Sequence, residues 1–443
     1  MKFDDILYTY LGEFSRYQKI QLLLVCLPTV FTALHALSWT FTAIVIPHRC
    51  LLPDENDSVP FNLSHVRWAN LSCPKDAECT RFEGASVNRD TNRNADTERC
   101  TDGYKWDHSE IENSAVSRWT IVCDRGYIRA VVQSMYYVGQ LVGSLVFGYL
   151  GDRIGRKKVF FIAILLQIFC GTLMAFMPFW QLFGLLRIGL GFAHPGIFVI
   201  AVVIGMELVG PSKRKLAGVV SAVFFSIGQV ILAGVAYLVR DYQQIQLAIS
   251  LPALIFFSYL WLVPESARWL LSQGKVDQTD RILRLASRIN NTYLPSNWRQ
   301  QLQPVEKPTQ QSSRRRHGFL DLVKHRNMRS RTAITFFCWP VVSMVYYGIS
   351  MNPTFLGGDR YLTFMMAGFM EIPGLLFVFL TIDRFGRRPL LAGGFFVSSV
   401  SLLSTLLIPE RKPLPESIED IEAHSAIIRE DSNNQAKDSQ GSS

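Results

Sequence analysis

The chain has 443 residues, 49% of them hydrophobic with 30 Phe and 9 Trp, and a formal charge of +9. The apolar residues lie in runs of about 20 or more, long enough to cross a hydrocarbon core roughly 30 Å thick, which excludes a string of soluble domains. The cations cluster in short connections between these runs, where a positive-inside bias accounts for them without a nucleic-acid partner.

Residues 1–19 form a polar, mildly amphipathic lead with no small-residue cleavage site after an apolar core, as expected of a cytoplasmic N-terminus rather than a cleaved signal peptide. The first span covers 20–47. His35 and Ser38-Trp39-Thr40 interrupt it, and polar groups at membrane depth face a bundle interior, a cavity or a neighbouring helix. A long polar loop, 48–126, follows with five cysteines (Cys50, Cys73, Cys79, Cys100, Cys123) and three glycosylation acceptors, Asn56, Asn62 and Asn70. Cysteines and acceptors together in one hydrophilic loop indicate an oxidising exterior. Zinc is the rival reading, but the loop has no CxxC pair and offers only His65 and His108. Five is odd, so at most two disulfides form within the loop, with the connectivity open.

With that loop outside, the second span (127–150) returns to the cytoplasm and ends in Gly148-Tyr149-Leu150-Gly151-Asp152-Arg153-Ile154-Gly155-Arg156-Lys157-Lys158. Spans three and four cover 159–178 and 180–207. The fourth carries Arg187 with Gly189 and Gly191, which suit close helix packing and not a phosphate loop, because no strand precedes them. A basic turn at 211–215 leads to spans five and six, 216–239 and 243–263. The stretch 264–331 is cytoplasmic and basic, with Arg314-Arg315-Arg316 and an amphipathic segment at 279–289 expected to lie on the membrane surface. Three further spans follow at 332–351, 361–382 and 389–409. Between the last two stands a second charged turn, Asp383-Arg384-Phe385-Gly386-Arg387-Arg388-Pro389. The tail, 410–443, is polar and acidic and cannot bury enough apolar surface to fold alone.

The count is nine spans, with the charged turn between spans two and three of each set, so the chain reads as an all-α polytopic membrane protein with an internal repeat. Gly148 to Lys157 is similar to the signature turn of the major facilitator superfamily. Arg187-Ile188-Gly189-Leu190-Gly191 resembles that superfamily's fourth-helix motif, and Pro264-Glu265-Ser266-Ala267-Arg268-Trp269-Leu270 follows the sixth span as in its sugar and organic-ion branches. The Cys-rich loop, Trp119-Thr120-Ile121-Val122-Cys123-Asp124, Tyr346-Tyr347-Gly348 and Glu371-Ile372-Pro373 narrow the resemblance to the organic cation/anion/zwitterion transporter family over about residues 1–409. The resemblance implies a major-facilitator-type helical bundle, alternating access and a central cavity between two halves. Two features depart from it. The family's ectodomain usually has six cysteines, and Leu402 to Pro409 runs directly into a segment resembling the family's tail after its twelfth span. A six-helix N-terminal half (20–263) plus a truncated three-helix C-terminal half (332–409) is therefore expected.

The gating candidates are Gly148, Asp152, Arg153, Gly155 and Arg156, and in the second copy Asp383, Arg384, Gly386 and Arg387. Asp152 suits pairing with cations and helix ends across the cytoplasmic interface, with Arg153 and Arg156 as its partners or as partners of Glu207 and Glu265. The alternative is that these residues only set topology. Arg187 and Arg268 are structural or coupling candidates. Trp339, Tyr346 and Tyr347 are substrate-binding candidates, because Trp339 and Tyr346 share one helical face and aromatic faces attract organic cations and also stack on planar anions. The alternative for each ring is packing. Glu371 is an intramembrane carboxylate that needs a cavity or a partner, and it points toward cations or zwitterions such as carnitine-like compounds. Gln229 and Tyr136 are further cavity candidates. No nucleophile–base pair, metal cluster or nucleotide loop stands out, so neither an enzyme nor a cofactor is expected. The expected partners are a small organic ion and the lipid bilayer, in the plasma membrane, without nucleic acid. Alternatives are an organic anion or sugar carrier, or a truncated, non-transporting form that acts as regulator or decoy of a full-length carrier.

Overall fold

The computed structural model describes residues 3–51, 79–82, 97–301, 326–353 and 358–405. Asn56, Asn62, Asn70, Cys73, the arginine triplet and the tail lie outside the described residues. Two compact units are present, 1–379 and 380–443.

Among the described residues, nine long helices carry the fold: α1 Arg16–Leu37, α2 Tyr127–Ile154, α3 Arg156–Met174, α4 Trp180–Leu208, α5 Arg214–Leu238, α6 Tyr242–Leu262, α7 Arg326–Ser350, α8 Arg360–Phe385 and α9 Arg387–Thr405. Eight of the described helices are long and apolar enough to cross a membrane, and α9, expected as the ninth span, is not among them. Arg387, Arg388, the Gly393-Gly394 pair and four serines dilute its apolar content. In α6 a 3-10 stretch at Leu251–Ser258 with Pro252 in its first turn interrupts the α-helix, as expected where a residue lacks its N–H.

Leu141, Leu145, Phe169, Leu185 and Ile255 point outward, as on a lipid-facing surface. Inside, glycines let backbones meet. A Cβ on Gly139 or Gly143 of α2 would run into the Ile188 or Phe192 carbonyl of α4, and one on Gly191 would strike the Tyr136 carbonyl. At Gly189 the neighbour would be the Cys170 sulfur at 2.7 Å. The expected packing role of both α4 glycines is what their surroundings show.

The 48–126 loop departs from an all-α fold. Strands His48–Cys50 and Tyr104–Trp106 pair antiparallel, as do Thr80–Phe82 and Thr97–Arg99. Disulfides Cys50–Cys100 and Cys79–Cys123 cross-link them. Hydrophilic loops of this length lack a large core, so cross-links and short sheets take its place. His48, Cys79 and Cys123 lie close together, but the two sulfurs are bonded to each other, which removes the thiolates a zinc ion would need. Arg81 is nearly buried against Glu98 and Asp102 at 2.7 and 2.5 Å. Burial opposes its charge, yet the two carboxylates hold its guanidinium above the ordinary value.

The N-terminal lead and the 264–331 stretch also differ from expectation. The polar lead forms a helical turn at Phe3–Ile6 continued by a π turn at Leu7–Leu11. Its Ile6, Leu7 and Leu11 pack with Leu283, Ala286 and Trp298 into a small separate core. The amphipathic segment is a helix over Val276–Asn290, and this part of its apolar face covers the N-terminal turn instead of lying on lipid. Asn290 binds the two together, accepting from the Tyr17 N–H at 2.8 Å and donating to the Leu11 carbonyl at 3.0 Å.

Candidate functional site

An open cavity of about 900 Å³ lies among α2, α4, α5, α7 and α8. From α2 it is lined by Tyr137, Gln140 and Ser144, and from α4 by His194, Pro195 and Phe198. Helix α5 adds Ala222 and Phe225, α7 adds Trp339, Ser343, Tyr346 and Tyr347, and α8 adds Glu371. The tyrosines form one cluster, with Tyr347 5.0 Å from Tyr137 and 5.2 Å from Tyr346. Among the described residues that line the cavity there is no Lys or Arg, and Glu371 is the one carboxylate. Ser226 of α5 is placed to hydrogen-bond that carboxylate.

Four of the six substrate-binding candidates therefore come together: Trp339, Tyr346, Tyr347 and Glu371. The other two stand behind the wall. Tyr136 is 1% exposed and hydrogen-bonds His194 Nδ1 at 2.7 Å. Gln229 is buried against Gly368 and donates to the Phe364 carbonyl at 3.4 Å. Sequence reasoning did not single out His194. A lone histidine in an apolar run carries no local signal, and only helix packing places it at the cavity.

Arg187 is fully buried beneath this wall. Its guanidinium lies between the rings of Trp39 and Tyr136, at 5.1 and 5.3 Å, and donates to Gln133 Oε1 at 2.8 Å and Ser38 Oγ at 3.3 Å. Aromatic faces and neutral acceptors thus stand where a carboxylate would be the usual partner, and they join α1, α2 and α4.

The charged turn is built around Gly155, whose φ of +112° is a conformation L residues rarely adopt. Arg156 reaches back to Asp152 at 2.8 Å and across to Glu207 of α4 at 3.3 Å, and donates to the Gly151 carbonyl at 2.6 Å. Trp269 donates to the Asp152 carbonyl at 2.8 Å, and Glu265 accepts from the Lys157 N–H at 3.0 Å. The expected partners of Arg156 are thus present, but Asp152, whose side chain is 77% exposed, pairs within its own turn. Arg153 lies on Tyr149 and donates to its hydroxyl at 2.8 Å, because residues four apart share a helix face. Arg268 pairs with Asp4, which also holds Arg214 at 3.0 Å. In the second unit, Gly386 has the same left-handed sense (φ +80°) between α8 and α9, flanked by Asp383, Arg384 and Arg387. Gly148 has open space around its Cα, so close approach does not explain its lack of a side chain.

A family profile described as "Sugar (and other) transporter" matches residues 91–413. The chain belongs to this transporter family. It is 39% identical to the "Organic cation transporter protein" of Drosophila melanogaster, with 92% of this chain and 76% of that one aligned. Identity to the "Beta-alanine transporter" of the same organism is 32% (93% and 73% aligned), and to human "Solute carrier family 22 member 13" 32% (91% and 74%). The solved major facilitator superfamily proton:xylose symporter XylE of E. coli matches with a TM-score of 0.51 at 16% identity, over 84% of this chain and 72% of that one, which fixes the fold. The chain is accordingly a multi-pass membrane protein of a transporter family, not an enzyme.

In this transporter-family chain, α8 meets the first helices at several levels. Phe41, just after α1, stacks on Tyr361 at 5.5 Å and meets Phe364 edge-on at 4.9 Å, and Tyr237 of α5 meets Tyr361 at 5.7 Å. Toward the other end of α8, Lys215 of α5 lies over the Phe379 ring at 4.7 Å.

Proposed function

We propose that this chain carries small organic cations or zwitterions across the plasma membrane by alternating access. The observation that supports this reading is Glu371, a carboxylate in an aromatic cavity without a lining Lys or Arg. A cation entering the site gains an ion pair in a low-dielectric wall together with the faces of Trp339, Tyr346 and Tyr347. An anion or neutral sugar gains no ion pair with Glu371, and carnitine-like compounds are one class that fits. The relatives named for organic cations and beta-alanine agree with a cationic centre in the substrate. In this reading the 48–126 loop is outside and glycosylated on Asn56, Asn62 and Asn70, and the ring contacts of Phe41 and Tyr237 with α8 support a state closed on that side.

The charged turn acts as a clasp. Arg156, Glu207 and Glu265 hold the α2–α3 turn to α4 and to the cytoplasmic helix Ala267–Ser272, so that the first six helices move as one body. Asp152, largely exposed, is free to exchange partners between states, and Asp383, Arg384, Gly386 and Arg387 form the corresponding turn of the second set.

The test is uptake of labelled quaternary ammonium ions and of organic anions of matched size by cells expressing the chain. Glu371→Gln is expected to lower cation uptake by about tenfold or more, the scale of a lost charge-assisted contact. Anion uptake instead, or cation uptake indifferent to the substitution, overturns the reading. A second reading is a six-plus-three-helix form that does not transport and regulates a longer carrier. It is favoured by the many exposed apolar side chains of α7 and α8, which bury only Ser350, Phe364 and Gly368 among their described residues. That reading requires no uptake, and reduced uptake by a co-expressed relative.

A further inference from the structure

The Tyr136–His194 pair has a direction. Tyr136 is sealed inside the protein, and its hydroxyl meets one described partner, His194 Nδ1, at 2.7 Å. A buried phenol needs an acceptor for its proton, so Nδ1 accepts and a neutral imidazole carries its own proton on Nε2. The Nδ1 edge of the ring faces Tyr136 behind the wall, and His194 itself lines the cavity. Nε2–H is therefore the nitrogen available to a substrate. The arrangement is held from behind by the Arg187 guanidinium over the Tyr136 ring at 5.3 Å, and Gly191 lets α4 close on the Tyr136 backbone. The cavity thus presents an acceptor group, Glu371 on α8, and a rigidly oriented donor, His194 on α4.

We propose that His194 is a specificity-determining residue of this cavity, donating from Nε2–H to a carboxylate or other acceptor on a substrate whose cationic centre pairs with Glu371. The substrate class is then a zwitterion in preference to a simple cation. This rests on the cation-binding reading of Glu371 given above. A neutral imidazole also suits the site electrostatically, because it offers a proton to a carboxylate without adding a positive charge that would repel the ammonium end. Tyr136 is a positioning residue. It fixes the tautomer and the ring plane but does not touch the ligand.

The experiment measures binding of two probes to the purified full chain: an n-alkyltrimethylammonium ion, and the same ion bearing a terminal carboxylate. The wild type is expected to bind both, and the zwitterion more tightly. His194→Ala is expected to lower the zwitterion-to-cation affinity ratio by roughly tenfold, as for a lost hydrogen bond to a charged group. His194→Gln, which keeps an N–H donor, is expected to recover part of that ratio, and Tyr136→Phe to lower it less than His194→Ala. Glu371→Gln is expected to weaken both probes. An unchanged ratio in His194→Ala, whether both affinities fall together or neither falls, overturns the role of His194 while leaving Glu371 intact. If that variant is not monodisperse, the Gln and Phe variants decide: a ratio equal to wild type in Tyr136→Phe, or one lost entirely in His194→Gln, overturns the proposal. Binding of neither probe by the wild type, or binding indifferent to Glu371→Gln, overturns the cation-binding reading itself.

Discussion

At the scale of single residues, the site rests on side chains that are absent as much as on those present. Gly191 allows the α4 backbone to meet the Tyr136 carbonyl, and no side chain fits between them. Gly191→Val is expected to destabilise the protein by about 1–3 kcal/mol, as overpacking does, and to shift Tyr136 away from His194. Thermal unfolding of the purified protein checks the first effect, and the zwitterion-to-cation ratio checks the second. Arg187 is a different case. Its planar guanidinium fills the gap between two rings and donates to two neutral acceptors. Arg187→Lys keeps the charge but loses the stacking plane and one donor direction. A lower melting temperature is expected, and an unchanged one would show that charge alone suffices. Glu371 and the α7 aromatics were legible in the sequence because an intramembrane carboxylate and closely spaced rings are unusual whatever surrounds them. Tyr136 and Gln229 were read as cavity residues but turned inward, since a helix presents several faces and the sequence does not say which one meets a neighbour.

At the scale of elements, the helix Val276–Asn290 and the N-terminal turn stabilise one another. Trp298 is completely buried between them and donates to Asp280 Oδ1 at 2.8 Å. Trp298→Ala is expected to cost about 3–5 kcal/mol of local stability, as large-to-small core changes do. Hydrogen exchange over residues 3–17 should rise while exchange in α4 stays put. Burial alone would raise the Asp280 pKa, but hydrogen bonds from Arg284 and Trp298 and the charge of Arg299 hold the carboxyl below its usual 3.8. Since the unfolded chain binds that proton more readily, Asp280 contributes stability that is full above its unfolded value and lost as pH falls through its folded value. Proteolysis of this segment should therefore increase below about pH 4, and Asp280→Asn should flatten that dependence. The exterior loop depends on covalent links instead. Replacing Cys79 and Cys123 together by serine is expected to remove about 2–4 kcal/mol, read as a lower unfolding temperature and early proteolysis after Cys50.

At the scale of the whole molecule, orientation and charge asymmetry go together. The proposed exterior loop predicts that enzymatic deglycosylation shifts the mobility of the chain, and that replacing Asn56, Asn62 and Asn70 abolishes the shift. An unshifted band would place that loop on the other side. The membrane class, eight of the nine expected spans and the repeated charged turn followed from sequence alone, because hydrocarbon demands long apolar runs and Gly155 and Gly386 mark the same left-handed bend. The transporter family was also legible, in the turn and in the fourth-helix glycines. Tertiary structure decided what periodicity cannot carry: that an amphipathic helix covers the N-terminus instead of lipid, that Arg187 sits between rings, and that His194 reaches a cavity wall. Local patterns are set by each segment's own contact with water or lipid. Sites are made by side chains far apart in the chain, such as His194 and Glu371, 177 positions apart (371 − 194), whose meeting depends on which helix faces pack.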